Sequence, residues 1–487
     1  MKKIEKGVVS LLTFSVMTLG LSAPLLQVSA EETSTEAETV NADDYSVYQD
    51  QLTYFVNDDD TVTIVSCYDT DTDGNDTSSI DVPEKIDGKK VVEIGEDCFK
   101  TLSKLTTVTL PDTITEISKG AFNGCETLSK INVPVNLKVI GDEAFYSCKA
   151  LEEFELPDTL EKIGYQSFYD CEKLDHFTIS KNVSEIGQYA FEGCVELKQI
   201  TVDEKNENYK SSDGILYDKD MTTLIKYPEK HEGDNFKVPD TVTKIDNWAF
   251  VGCNTIKTID LNNVKEIGED AFYYCTELTK ADIPEGVTEL NGSVFGYCVK
   301  LEKVTIPSTL KKIGDYAYYC CLSLKELTIP DNVESIGTYA FFYCSNLKDV
   351  TVSANTSEIG LYALGYTFDS TNKKEVPVDG FKLTCEEGSP VYKYAVDNDL
   401  LAGKFNLFTS KVSVGSVKIY VWIIALAALI VLAGIILIIV LVKRSKEMSK
   451  IERENLKNYN KRKQAEKERL ERQKKANLIK NKDKEEK

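Results

Sequence analysis

The chain has 487 residues, more than one ordinary core accommodates, so several domains or a repeat array are expected. Its formal net charge is −22, and residues 31–442 carry 36 Lys and Arg against 69 Asp and Glu, a net of −33. So acidic a chain lacks the basic footprint that nucleic acid requires, and no nucleic-acid partner is expected.

In chain order, the first segment reads as a secretory signal peptide over 1–30. Lys2, Lys3 and Lys6 supply the positive start and Val8–Leu26 the apolar middle. Val28-Ser29-Ala30 supplies the small-residue cleavage site, with Glu31 as the first mature residue. Residues 31–43 are acidic and rich in Ser and Thr, a flexible leader. Residues 44–92 are expected to form an N-terminal cap, with strand residues Tyr54, Phe55, Val62, Ile64 and Val65 around the turn Asp58-Asp59-Asp60. Within it, Asp69-Thr70-Asp71-Thr72-Asp73-Gly74 begins like a calcium loop, but the twelfth position, normally a bidentate Glu, is Ile80. A solvated loop is the expectation and a weak calcium site the alternative.

Residues 93–366 repeat. Ile140-Gly141-Asp142-Glu143-Ala144-Phe145-Tyr146-Ser147-Cys148 returns as Ile163-Gly164-Tyr165-Gln166-Ser167-Phe168-Tyr169-Asp170-Cys171, usually at a step of 23 residues. That step lies in the range of leucine-rich repeats. The aromatic position is filled by Phe99, Phe122, Phe145, Phe168, Phe191, Phe250, Phe272, Phe295, Tyr318 and Phe341, with Leu364 as a degraded last copy. In each unit a stretch such as Lys303-Val304-Thr305-Ile306-Pro307 alternates polar and apolar, the mark of a short strand with one face buried, and the Pro ends it. Leu310 and Ile313 point inward, Gly314 turns the chain, and Ala317-Tyr318 packs into the next layer. One unit cannot bury its own apolar face; stacked units share a continuous core.

The string I-G-x-x-A-F-x-x-C-x-x-L-x-x-I-x-I-P resembles the BspA-like family of leucine-rich-repeat proteins. A second mark is Ser212-Asp213-Gly214-Ile215-Leu216-Tyr217 followed by Thr222-Thr223-Leu224-Ile225-Lys226-Tyr227-Pro228, which resembles a hairpin insertion common in that family. It lies in 204–239, where Cys194 and Cys253 are 59 residues apart; from the residues alone it is two strands joined by Asp218-Lys219-Asp220. The resemblance implies a curved, β-rich solenoid of short parallel strands on a bacterial surface protein that adheres to host, matrix or other cells.

Residues 367–410 are expected to cap the C-terminal end, with a strand near Phe381–Thr384 and a helix near Ser389–Asp397. A linker, 411–418, leads to Ile419–Val442, 24 residues without a charge and long enough to cross a bilayer as one transmembrane α-helix. Tyr420 and Trp422 sit at its outer edge, and Lys443, Arg444 and Lys446 follow at once, so the tail is expected in the cytoplasm and the repeats outside. The tail, 443–487, holds 18 Lys and Arg against 9 Asp and Glu, a net of +9. It reads first as a topology signal on a solvated charged helix, and beside a membrane it can attract anionic lipid head groups.

Cys125, Cys148, Cys171, Cys194, Cys253, Cys275, Cys298, Cys321 and Cys344 share one repeat position. Their side chains would point the same way up one side of the solenoid, whereas a disulfide needs Cβ atoms facing each other. Buried free thiols are therefore expected, with some disulfides as the alternative. The histidines, His176 on a strand and His231 in a polar turn, lie in no triad or metal spacing. No catalytic residue, metal or cofactor is expected, and the chain does not read as an enzyme.

The expected partner-binding face is the outward side of the strands. It comprises His176, Gln199, Thr201, Thr258, Asp260, Lys280, Asp282, Lys303, Thr305, Glu326 and Thr328, although Thr is also simply a good exposed strand former. The expected function is a single-pass surface protein that binds an extracellular protein. The other two readings are a receptor signalling through its tail and a structural envelope protein.

Overall fold

A computed structural model of the chain describes residues 46–49, 51–67, 78–398 and 400, with the isolated residues 457 and 464. The expected signal peptide, leader, calcium-like loop, membrane span and, but for those two residues, the tail lie outside the described residues. Among the described residues no helix is long and apolar enough to cross a membrane.

The repeats wind into a parallel β-solenoid with three hydrogen-bonded ladders per turn. The first is the expected one. Strands such as Thr258–Asp260, Lys280–Asp282 and Lys303–Thr305 pair in parallel with equivalent residues opposite, Ile259 against Ala281 against Val304. The middle residue of each is buried and the outer two are wholly or partly exposed.

The second ladder corrects the sequence reading, which saw one strand per unit. Two-residue strands at Glu116-Ile117, Val139-Ile140, Lys162-Ile163 and Glu185-Ile186 stack in parallel, and the pattern returns from Lys244-Ile245 to Glu358-Ile359. Two residues are too few for alternation to be visible in a sequence. The repeated Gly follows this strand because the rungs nearly touch there: a Cβ on Gly164 would stand 2.4 Å from the carbonyl carbon of Gly141.

The third ladder is built from the turn that carries the ring. Phe122 donates its N–H to Ala144, Phe145 to Ser167, Phe272 to Val294 and Phe295 to Ala317, each one rung ahead, and alternate residues on either side do the same. To aim these N–H groups along the solenoid, residues two before and two after the ring take positive φ, as at Glu143 (55°) and Ser147 (54°). The rings themselves stack rung on rung at 4.8–6.1 Å between centroids, from Phe99 to Phe191 and again from Tyr227 to Phe341.

Tyr227 is a second correction. It belongs to the insertion and occupies a rung of the ring column, where Lys226-Tyr227 replaces Ala-Phe and hid the match. The insertion has three strands where two were expected: Tyr209–Ser212, Ile215–Asp218 and Thr223–Lys226, each antiparallel to the next. The last also pairs in parallel with Lys244-Ile245 and so serves as a rung. The buried apolar residues fall into two clusters that meet here, one running from Leu52 to Leu216 and the other from Ile215 to Leu400.

Three antiparallel strands, Ser46–Tyr48, Leu52–Val56 and Val62–Cys67, lead the chain onto the solenoid through Lys89–Ile94. At the other end a hairpin, Tyr366–Asp369 with Lys374–Pro377, precedes the strand Lys382–Thr384, which pairs with Asp349–Thr351 as a last rung. The helix Pro390–Asp397 closes this end. Ser389 caps it through the N–H of Tyr392 at 3.1 Å. The hydroxyl of Tyr394 accepts from the N–H of Leu364 and donates to its carbonyl, both at 3.1 Å.

Candidate functional site: the strand face

The first ladder brings the expected binding residues onto one side but divides them among three sheets. Thr258, Lys280 and Lys303 form one file, and Asp260, Asp282 and Thr305 the file beside it. His176 opposes Gln199, and Thr201 opposes Thr178, in a separate pair of strands before the insertion. Glu326 and Thr328 begin a third sheet. None of the eleven is buried, because a strand with its middle residue inside must turn its flanking residues out.

The central patch is internally paired. Lys280 Nζ meets Asp282 at 2.5 Å, and Thr305 Oγ1 donates to the same carboxylate at 2.7 Å. Burial pushes the Asp282 carboxyl up, but the bonds from Lys280 and Thr305 and the charges of Lys280 and Lys303 outweigh it and hold the group below the usual carboxylate range. Lys303 has no ion-pair partner among the described residues and is the freer cation of the two. Thr178 and Thr201 join hydroxyls at 2.9 Å, and His176 is hydrogen-bonded to Asp175. Ion pairs one rung apart border the face, Lys300 with Glu277 at 2.6 Å and Lys257 with Asp234 at 3.1 Å. Such exposed pairs contribute about 0–1 kcal/mol each.

This surface is polar, regular and open. Its depression, lined by Thr107, Lys130, Asn132 and Glu153, is wide and shallow. It suits contact with a broad partner surface rather than enclosure of a small molecule. Among the described residues no group of three or more His, Cys, Asp or Glu side chains is arranged to hold a metal.

Three features escaped the sequence reading. His231 lies in its polar turn but is buried there, with Nδ1 against the Tyr227 hydroxyl at 3.0 Å and Nε2 against the Asp213 carbonyl at 2.6 Å. Beside it Lys226 is buried with two acids, Glu192 at 2.8 Å and Glu229 at 3.9 Å, and Glu229 also accepts from the N–H of Gly193 at 2.9 Å. The cysteine column is free and buried, but it is more than filler. Each thiol donates to the carbonyl of the ring residue one rung back, as Cys148 does to Phe122 at 3.3 Å and Cys298 to Phe272 at 3.2 Å. A cysteine and a ring recurring 26 residues apart was a signal for this contact; only the thiol's role as a donor was missing.

Residues 92–212, 229–301 and 265–378, together more than half the chain, match the sequence profile of the BspA type leucine rich repeat region, in six copies. No functionally curated relative matches the sequence. The fold is similar to that of the pneumococcal vaccine antigen PcpA, at 24% identity and a TM-score of 0.55, covering 74% of this chain and 98% of that one. It is also similar to a leucine-rich-repeat protein of Eubacterium ventriosum, at 22% identity and a TM-score of 0.52, covering 75% of this chain and 97% of the other.

Proposed function

Because the chain belongs to the BspA-type leucine-rich-repeat family, we propose that it is a membrane-anchored cell-surface protein that binds an extracellular protein of a host, a matrix or another cell. The observation that carries this reading is the pair of in-register polar files, Thr258–Lys280–Lys303 and Asp260–Asp282–Thr305, exposed on a regular ladder. Such a face offers many weak polar contacts that add up only against a large partner. The uncharged run Ile419–Val442 followed by Lys443, Arg444 and Lys446 supports an anchor with the repeats outside. The name of PcpA marks it as a vaccine antigen, which fits display of this fold at a cell surface.

The test is binding of matrix proteins and cell-surface extracts to intact cells displaying the chain, at low and at physiological salt. Changing Lys280 and Lys303 together to Glu should weaken capture about tenfold or more, because interface energy concentrates near the centre of a patch. Binding that neither salt nor the double change alters would place the contact elsewhere.

A further inference from the structure

The two positive-φ positions that flank the rings are where the repeat demands an unusual backbone. Early rungs fill it with Gly120 and Gly124 and with the polar Asp97, Ser147 and Asp170, beside Thr101, Glu143 and Gln166. From the Phe191 rung onward aromatic residues take most of these positions, although Gly193, Gly252, Asp270, Ser293 and Cys320 hold the others. The position before the ring holds Tyr189, Trp248, Tyr316, Tyr339 and Tyr362, and the position after it holds Tyr274, Tyr297 and Tyr343. A left-handed backbone costs an ordinary residue about 1–2 kcal/mol and makes a bulky one an outlier. These side chains are only half-buried, so burial does not fully account for them. Contacts between them recover part of the cost, Tyr189 with Trp248 at 4.9 Å and 73° and Tyr316 with Tyr339 at 5.3 Å. Backbone strain of this kind clusters at functional surfaces.

The charge on this edge is predominantly negative. The turns 246–256, 268–278, 314–324 and 337–347 contain no Lys or Arg, and 291–301 contains one, Lys300, which is paired with Glu277; Glu269, Asp270 and Asp315 stand among the rings without an ion-pair partner among the described residues. Burial and the neighbouring Glu269 push the Asp270 carboxyl up to about 7, as befits an acid with no cation nearby.

We propose that this aromatic edge, from Trp248 to Tyr343, is the docking surface for a cationic polypeptide segment rich in Arg and Lys. Guanidinium groups stack on Tyr and Trp faces and bond carboxylates in the same stroke, and Tyr and Trp are the residues that anchor protein interfaces. The assignment rests on the adhesive reading for its class of partner and adds a second, chemically defined surface to the strand face.

Trp248 and Trp422 are the chain's two tryptophans, so the full chain carrying Trp422→Phe, held in detergent, reports on this edge through Trp248 fluorescence. Oligoarginine should shift that emission, more weakly as salt rises, while oligoglutamate and a neutral β-glucan oligosaccharide should not. Tyr316→Asn and Tyr339→Asn together should weaken oligoarginine binding about tenfold and leave the melting temperature unchanged or higher, since Asn accepts the left-handed backbone. Undiminished binding in this variant, equal binding of the glucan, or a large loss of stability in the variant would each overturn the proposal. Lys280→Glu with Lys303→Glu serves as the separate arm. If cells still capture a matrix protein through those lysines while oligoarginine ignores the rings, the edge is excluded and the adhesive reading stands. If oligoarginine depends on the rings and no extracellular protein is captured, the edge stands and that reading fails.

Discussion

Side by side in the core run two columns with different demands on hydrogen bonding. The cysteines fit theirs well: a thiol is small enough for a closed position and still reaches the carbonyl behind it, and burial pushes Cys125 up to about 12 and Cys148 well above the usual thiol range. The ring column holds two hydroxyls: that of Tyr227 meets His231 at 3.0 Å, whereas that of Tyr318 finds no such partner among the described residues. That hydroxyl is wholly buried without a hydrogen-bond partner among the described residues, between the stacked rings of Phe295 and Phe341. An unpaired buried hydroxyl costs roughly 1–3 kcal/mol. Tyr318→Phe should therefore raise stability by about 1 kcal/mol or more, read as a higher denaturation midpoint with an unchanged slope. A lower midpoint would mean that the hydroxyl has a partner after all. The column itself was legible because an aromatic every 23 residues is conspicuous; the single oxygen that breaks its chemistry carries no pattern of its own.

Among the elements, the insertion does the most unusual thing. Its strand Thr223–Lys226 continues the solenoid, yet it sets the Lys226 ammonium against Glu192 of the preceding repeat and Glu229 where the two apolar clusters meet. Removing one partner of a buried pair strands the rest, at about 3–5 kcal/mol. Lys226→Met should thus destabilise the joint by that order, and more at pH 8 than at pH 5, where the stranded acids can take up protons. Thermal melts at both values decide it; equal losses would mean that Lys226 does not hold the acids in their charged form. The long strands could be read from alternation such as Val304 and Ile306 between polar neighbours. The joint could not, because Glu192 lies 34 residues from Lys226, and it, Lys226 and Glu229 look like ordinary surface charges until the ladder places them together.

Across the whole molecule, unusual carboxyls set the response to pH. Glu192 is pushed up to about 7 by burial, against the pull of Lys226 and with Glu229 adding to the rise, and Asp270 reaches about 7 for the reasons given above. In the unfolded chain these acids return to ordinary values near 4. Between about pH 4.5 and 7 the folded chain therefore holds protons that the unfolded chain has released, and stability falls as pH rises through that window. Opposing groups such as Asp175 and Asp282 are held low and lose their contribution only in stronger acid. The melting temperature should be higher near pH 5 than near pH 8, and Glu192→Gln should flatten the profile. A profile that rises toward pH 8 would contradict the placement of these acids. None of this was visible in the net charge of the chain, which is strongly negative whether or not a given carboxyl keeps its proton.

The close approach of backbones at the repeated Gly has a consequence for ancestry. Gly164 answers to Gly141, and Gly187 to Gly164 and Tyr165, with no reference to rungs farther away. Contacts in such an array are settled between neighbours alone. Unequal crossing-over between two units on the same side of the insertion would therefore return a gene whose product is one turn longer or shorter and still closes every ladder. Lineages descended from such events should differ in length by whole units of about 23 residues, while the insertion, whose charged joint has no counterpart in the ordinary units, persists as a single copy.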